Sequence, residues 1–158
     1  MIYNKIVEIL EFIKAKKVLY NADISIDSSK IGGDYTFIKY DKFVDDFRLE
    51  MFDIDTSIVE VRCGVANLGV VCLSSNEFAP RLSSLITNNC IFLLKKENIV
   101  ENLFEATEFV KNYEEKRSSS KIIPTNIIFI AGPSRTADIE LQTVFGVHGP
   151  RNTFVLVY

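Results

Sequence analysis

The residues best suited to chemistry lie in Gly132-Pro133-Ser134-Arg135-Thr136-Ala137-Asp138-Ile139-Glu140. The apolar run Ile127-Ile128-Phe129-Ile130 precedes them, and Ala131-Gly132-Pro133 closes it, the pattern of a buried strand and its exit turn. Ile139, Thr143 and Val144 then fall at helical spacing, with Gly146 placed to end the helix. The segment reads as a strand, a tight turn and a first helical turn. The leading N–H groups of a helix lack internal partners and carry the positive end of its dipole. Ser134 and Thr136 can cap them, and so can a bound anion. Arg135 adds a planar cationic fork that fits a carboxylate or phosphate. Gly132, Ser134, Arg135 and Thr136 are therefore the expected ligand contacts. A well-capped helix after a core strand explains the same residues, and the segment by itself admits both readings.

His148 is the only histidine, in the turn Gly146-Val147-His148-Gly149-Pro150. Glycines on either side let the backbone approach another group closely. The imidazole is either a solvated surface group or a general acid/base. Asp138 and Glu140 are two apart and diverge on a helix, so they form no carboxylate pair. Asp138 is assigned to the site, and Arg151 reads as surface charge. Other chemistries lack their residues. There is no G-x-G-x-x-G, no P-loop and no G-x-S-x-G. One histidine and three scattered cysteines, Cys63, Cys72 and Cys90, make no metal site. The cysteines read as small buried hydrophobes in a reducing compartment.

The nonapeptide, Phe145-Gly146-Val147-His148-Gly149-Pro150-Arg151 and the terminal run Thr153-Phe154-Val155-Leu156-Val157 together resemble the C-terminal signature of the lactate-utilisation protein C family (LutC/YkgG, the LUD domain). The resemblance is close over the second half of the chain and loose over the first. It implies an α/β fold of three layers, α/β/α, with a largely parallel mixed sheet related to the NagB/RpiA sugar-phosphate isomerases and CoA transferases. It also implies a role beside two iron–sulfur partners (LutA/LutB type) in oxidising L-lactate to pyruvate, and it moves His148 towards the site. Iron–sulfur ligation takes four thiolates in close motifs, so any cluster belongs to a partner and this chain binds no cofactor of its own. Two positions depart from the family. Asn67 stands where LUD proteins show Glu in A-E-T-G-T, and an amide cannot take the proton a carboxylate would. Cys90 stands where the family shows His. The first part, about residues 1–56, is short for the family. Two other readings stay open: a free-standing carboxylate, phosphate or CoA binder of the isomerase/transferase type, and an interaction module without activity.

The elements that must position these residues follow from periodicity. Residues 2–17 form an amphipathic helix with Ile2, Ile6, Ile9, Leu10 and Ile13 on one face, against the domain's own sheet or another subunit, a homo-oligomer included. Residues 21–34 read as a loop, Tyr35–Tyr40 as a strand, and Asp41 as the cap of a helix carrying Phe43, Val44, Phe47 and Met51. Ser57–Arg62, Leu68–Leu73 and Ile91–Leu94 read as strands, with a helix around Pro80, Leu82, Leu85 and Ile86 between the last two. Asn98 and Glu101 resemble a capping box opening a helix through Tyr113. Alternating strands and helices imply a parallel sheet, whose ligands sit at the carboxyl ends of strands. That rule adds Asn67, Gly69 and Arg81 to the candidate contacts.

The 158 residues are expected to make one domain spanning 1–158. A net charge of −3 with scattered Lys and Arg argues against nucleic acid. No run of apolar residues approaches the ~20 of a membrane span, and the N-terminus does not have a signal peptide's pattern. A cytoplasmic protein is expected.

Overall fold

The structure, a computed structural model, describes residues 2–41, 49–76, 81–118, 124, 126–137 and 143–158. Its centre is a five-stranded sheet in the order β11-β6-β3-β1-β2, from β1 (Lys17–Asn21), β2 (Thr36–Tyr40), β3 (Thr56–Glu60), β6 (Asn89–Leu94) and β11 (Asn152–Val157). Every pairing in it is parallel. All residues of β3 and β6 are buried, as befits central strands covered on both faces. Edge strand β11 instead alternates, with Phe154 and Leu156 turned to the core.

On one face lies α1 (Ile2–Phe12), which seats fully buried Ile6 and Leu10 against Val18, Ile58, Ile91 and Leu93. The helix thus packs on its own sheet. It stops earlier than its periodicity suggests. Lys14 takes φ 55°, Lys14 N–H donates to Glu11 O, and Ala15 N–H donates to Leu10 O. This is a Schellman C-cap, with Ala15 and Leu10 meeting in the core. Lysine fills a place that glycine usually takes, so the stop left no sequence mark. The chain it frees becomes β1, a strand that the sequence reading did not resolve.

On the other face a second sheet, in the order β7-β4-β5-β8, covers β3 and β6. It comprises β4 (Cys63–Val65), β5 (Val70–Ser75), β7 (Ile99–Val100) and β8 (Asn126–Ile130). Val71 and Leu73 of β5 face Val59, Phe92 and Leu94, while Cys72 points outward to α2 (Leu103–Ser118). Outside that sheet, Ala106 and Val110 of α2 close over Cys63, Val65 and Cys72. The result is an α/β fold with a parallel central sheet and flanking helices.

Several boundaries differ from expectation. Ile99 and Val100 pair with β4, so the capping box sits four residues later: Asn102 Oδ1 accepts from Phe104 and Glu105 N–H, and Glu105 accepts from Glu101 N–H. Arg81–Ser84 is a short 3-10 turn continuing to Ile86, which packs with Leu82 on Leu19, Tyr40, Met51 and Ile54. The helix expected from Asp41 falls mostly outside the described residues. The helix expected after Gly132–Thr136 is absent at both of its described ends. Arg135–Ala137 (β9) pairs antiparallel with Thr143–Phe145 (β10), and Gly146 leaves β10 at φ +79°. Thr136 and Val144 are branched residues directly opposite each other, a pairing that favours the ladder over a helical stripe.

Lys14→Gly removes a side chain from the left-handed region, whose strain costs about 1–2 kcal/mol, against a smaller entropic loss from the added glycine. Urea unfolding is expected to show a gain of up to about 1 kcal/mol. A loss would show that α1 does not end on this cap.

Candidate functional site

Two polar regions stand out, at opposite ends of the central strands. The first is at the carboxyl ends. Arg62, just beyond β3, is only 2% exposed. Its Nη2 donates to Asp23 Oδ2 at 2.6 Å, its Nε to Ser74 Oγ at 2.8 Å and its Nη1 to the Tyr113 hydroxyl at 3.4 Å. The guanidinium also lies 4.7 Å from the centre of the Tyr113 ring. Buried Glu114 completes the group: it accepts from Ser74 Oγ, and its Oε2 accepts from Arg117 Nε at 2.8 Å. Burial pushes the Glu114 carboxyl up. The hydrogen bonds from Ser74 and Arg117 and the charges of Arg117 and Arg62 outweigh it, so its pKa lies below the ordinary value. Asp23 goes the other way, because its burial outweighs Arg62. Beside it, Glu60 pairs with Lys95 at 3.2 Å, and Ser25 Oγ meets the Tyr158 hydroxyl at 2.7 Å.

Sequence reasoning missed Arg62, Asp23 and Glu114. The available signal was the pair of charged residues, Glu60 and Arg62, in Ser57-Ile58-Val59-Glu60-Val61-Arg62, where a central strand should be wholly apolar. Next to this cluster, a cavity of about 10 Å³ is lined by Asn21, Ser74, Ser75, Arg81, Ser83 and Ser84, among others. Asn21 Oδ1, at that cavity, and Asp23 Oδ1, in the Arg62 cluster, are buried without hydrogen-bond partners. That volume matches one water and no larger ligand. Arg81 itself is exposed and donates to Asn126 Oδ1 at 3.0 Å. The carboxyl ends of β1 and β3 are therefore bridged by a buried charged network.

The second region joins the two signature segments. Ser134 N–H donates to Pro150 O at 2.8 Å, Gly146 N–H to Ser134 O at 3.1 Å, and His148 N–H to Ser134 Oγ at 3.2 Å. One serine thus holds both segments together. Arg151 and Asn152 N–H both donate to Asn88 O, just before β6, so this junction lies at the amino ends of β6 and β11. The carboxyl-end rule does not place it. Three positive φ values shape it: Gly132 at +93°, Gly146 at +79° and Gly149 at +155°. A Cβ on Gly146 would lie 2.3 Å from Arg151 Cγ. Arg135 is exposed, with its guanidinium 5.4 Å from the centre of the Phe145 ring. His148 is exposed too.

The structure thus brings Ser134, Arg135, Thr136 and His148 into one neighbourhood, and Gly132 lies in the turn leading into it. Thr136 sits in the β9 ladder, so neither it nor Ser134 caps a helix. Asp138 lies outside the described residues. Asn67 and Gly69 are elsewhere, in the exposed β4–β5 turn, where Asn67 N–H donates to Glu101 O at 3.1 Å. An open apolar groove of about 260 Å³ adjoins that turn, lined by Val65, Ala66, Val70, Leu94, Ile99 and Val155 among others. Cys90 is fully buried, and burial pushes its thiol up to about 12, so it takes no part in surface chemistry.

Comparison with known proteins gives the junction a context. The LUD domain family model matches residues 8–158. An uncharacterised protein of Neisseria meningitidis is 34% identical over 75% of this chain and 49% of its own length. Lactate utilization protein C of Bacillus licheniformis is 34% identical over 65% of this chain and 41% of its own length. That of Bacillus subtilis is 33% identical over 59% and 38%. The chain therefore spans about half the length, or less, of these relatives. A DUF162 family crystal structure from Deinococcus radiodurans shares the fold, with TM-score 0.66 and 18% identity over 99% of this chain and 81% of that one. No helix among the described residues is long and apolar enough to cross a membrane.

Arg62→Ala leaves Asp23 without its cation and Glu114 with Arg117 as its one cation among the described residues, and chemical denaturation is expected to show a loss of about 3–5 kcal/mol. A loss below about 1 kcal/mol, the size of a surface pair, would contradict the bracing role. Glu114 yields a pH prediction. Its folded pKa is depressed, so its contribution is present above the unfolded value, about 4.3, and is lost as pH falls through the folded value. Glu114→Gln should therefore flatten the loss of stability with acidification in that range. Equal slopes for the two proteins would refute this.

Proposed function

The chain belongs to the LUD domain family, and we propose from that premise that it serves a lactate-utilisation system by presenting a small carboxylate site at the Ser134–His148 junction. The observation that carries the reading is Ser134 itself. Through backbone and hydroxyl it ties the Gly132–Thr136 segment to the Gly146–Arg151 turn, the two segments that carry the exposed Arg135 and His148. An arginine fork binds a carboxylate through paired N–H donors. An exposed imidazole near it can give or take a proton at the adjacent carbon oxygen of a hydroxy or oxo acid. L-lactate and pyruvate have that chemistry.

In this reading the electrons of lactate oxidation leave through clusters on iron–sulfur partner proteins in the cytoplasm, and the chain holds or orients the acid. A docking surface supports the partnership. Val144, Phe145, Val147 and Leu85 are each exposed by 38–52% around the junction. Apolar groups gathered around charged ones are what a protein partner covers.

A ligand that binds only the native state raises the melting temperature, by about 2.7 kcal/mol of stabilisation at a hundredfold excess over Kd. Melting scans with L-lactate and pyruvate are expected to rise for the native sequence and to stay flat for Arg135→Ala. Iron–sulfur lactate-utilisation proteins are expected to co-purify with the chain. Flat scans with both acids would overturn the carboxylate site, as would a rise that survives Arg135→Ala. A rise with sugar phosphates or CoA alone would move the chain to the isomerase/transferase type.

A further inference from the structure

Two cysteines outside the proposed site stand directly opposite each other. Cys63 of β4 and Cys72 of β5 are register partners in an antiparallel pair. Both are fully buried and free, and both belong to the cluster under α2 with Val65, Ala106 and Val110. Opposed residues in antiparallel strands hold their Cα atoms about 4.5–5.5 Å apart. Disulfides span about 4.4–6.8 Å, so the backbone already meets the requirement. Cys90, the remaining thiol, lies in another cluster between the two sheets.

We propose that Cys63 and Cys72 are a redox-modification site: a dithiol that closes to a cross-strand disulfide on reaction with a small peroxide. The two thiols are not equivalent. The Cys72 thiol donates to Leu73 O at 4.0 Å, and the neighbouring Cys72 thiol lowers the Cys63 pKa. Cys63 is therefore the nucleophile. Its thiolate attacks one peroxide oxygen, the O–O bond breaks, and with a proton the other oxygen leaves as water. Cys63 becomes a sulfenic acid. The Cys72 sulfur then displaces the hydroxyl from Cys63, an S–S bond forms, and a second water carries away that hydroxyl with the Cys72 proton. Two thiols lose two hydrogens and one peroxide becomes two waters, so the electrons balance.

Access comes through α2. Over the two thiols the helix is held only by Ala106 and Val110, with half-buried Phe109 beside them, whereas its far end is tied to the Arg62 cluster through Tyr113 and Glu114, so the opening involves its first turns alone. Elements held that way open locally at modest cost. A peroxide is small enough to use such openings, whereas a protein oxidant is not. The cross-link would pin the β4–β5 hairpin, whose turn carries Asn67 and Gly69.

Folded native-sequence protein treated with hydrogen peroxide, then alkylated in denaturant and mapped by peptide mass spectrometry, tests this. The expected result is one Cys63–Cys72 linked peptide, with Cys90 alkylated and all thiols restored by dithiothreitol. Cys90→Ser should give the same link. Cys72→Ser should instead give a Cys63 sulfenic acid trapped by dimedone. The proposal is overturned if the folded native sequence gives no link, if Cys63 or Cys90 goes to sulfinic acid unlinked, or if the link forms only in denaturant.

Discussion

A single buried guanidinium sets the relation between the two sheets. Arg62 leaves the central sheet and reaches the β1 exit through Asp23, β5 through Ser74, and α2 through Tyr113 and Glu114. Buried ion pairs add little net stability, because the desolvation of two charges offsets their attraction. Their strength is in refusing alternatives: any other packing of these elements strands a charge. With Arg62 fixed, β5 must lie across β3 and β6 with Val71 and Leu73 inward, and Cys72 must face α2 beside Cys63.

That brace has a functional consequence. Open parallel sheets usually offer their ligand crevice at the carboxyl ends of strands. Here those ends carry the Arg62 cluster, and the cavity beside it matches one water. The solvent-facing polar geometry is at the amino ends instead, where the two signature segments meet over Ser134. Buried paired charges thus lie at one end of the strands, and exposed Arg135 and His148 at the other.

Much of this was legible in the sequence. The strands at Thr36–Tyr40, Thr56–Glu60, Asn89–Leu94 and Asn126–Ile130 follow from dense branched residues, and α1 from its isoleucine spacing. The signature segments stand together as their order suggests. What failed did so for physical reasons. Residues 135–145 carry branched side chains that fit a helical stripe and a short hairpin equally well, and only pairing with another strand decides between them. The α1 stop was hidden because lysine adopts the glycine conformation. Arg62 and the Cys63–Cys72 pair are contacts between residues distant in the chain, which no local pattern announces. The helix-dipole argument for an anion site was lost with the helix, and the proposed site rests instead on the tie that Ser134 makes between the two segments.

The most direct test of the central claim is an amide chemical-shift titration of the isotope-labelled chain with pyruvate. The account predicts that the largest changes cluster at Ser134, Arg135, Gly146 and His148, while Asp23, Arg62 and Glu114 stay still. Changes centred on Asn21, Asp23 and Arg62 would contradict it, because they would place the ligand at the end of the sheet that carries the buried guanidinium.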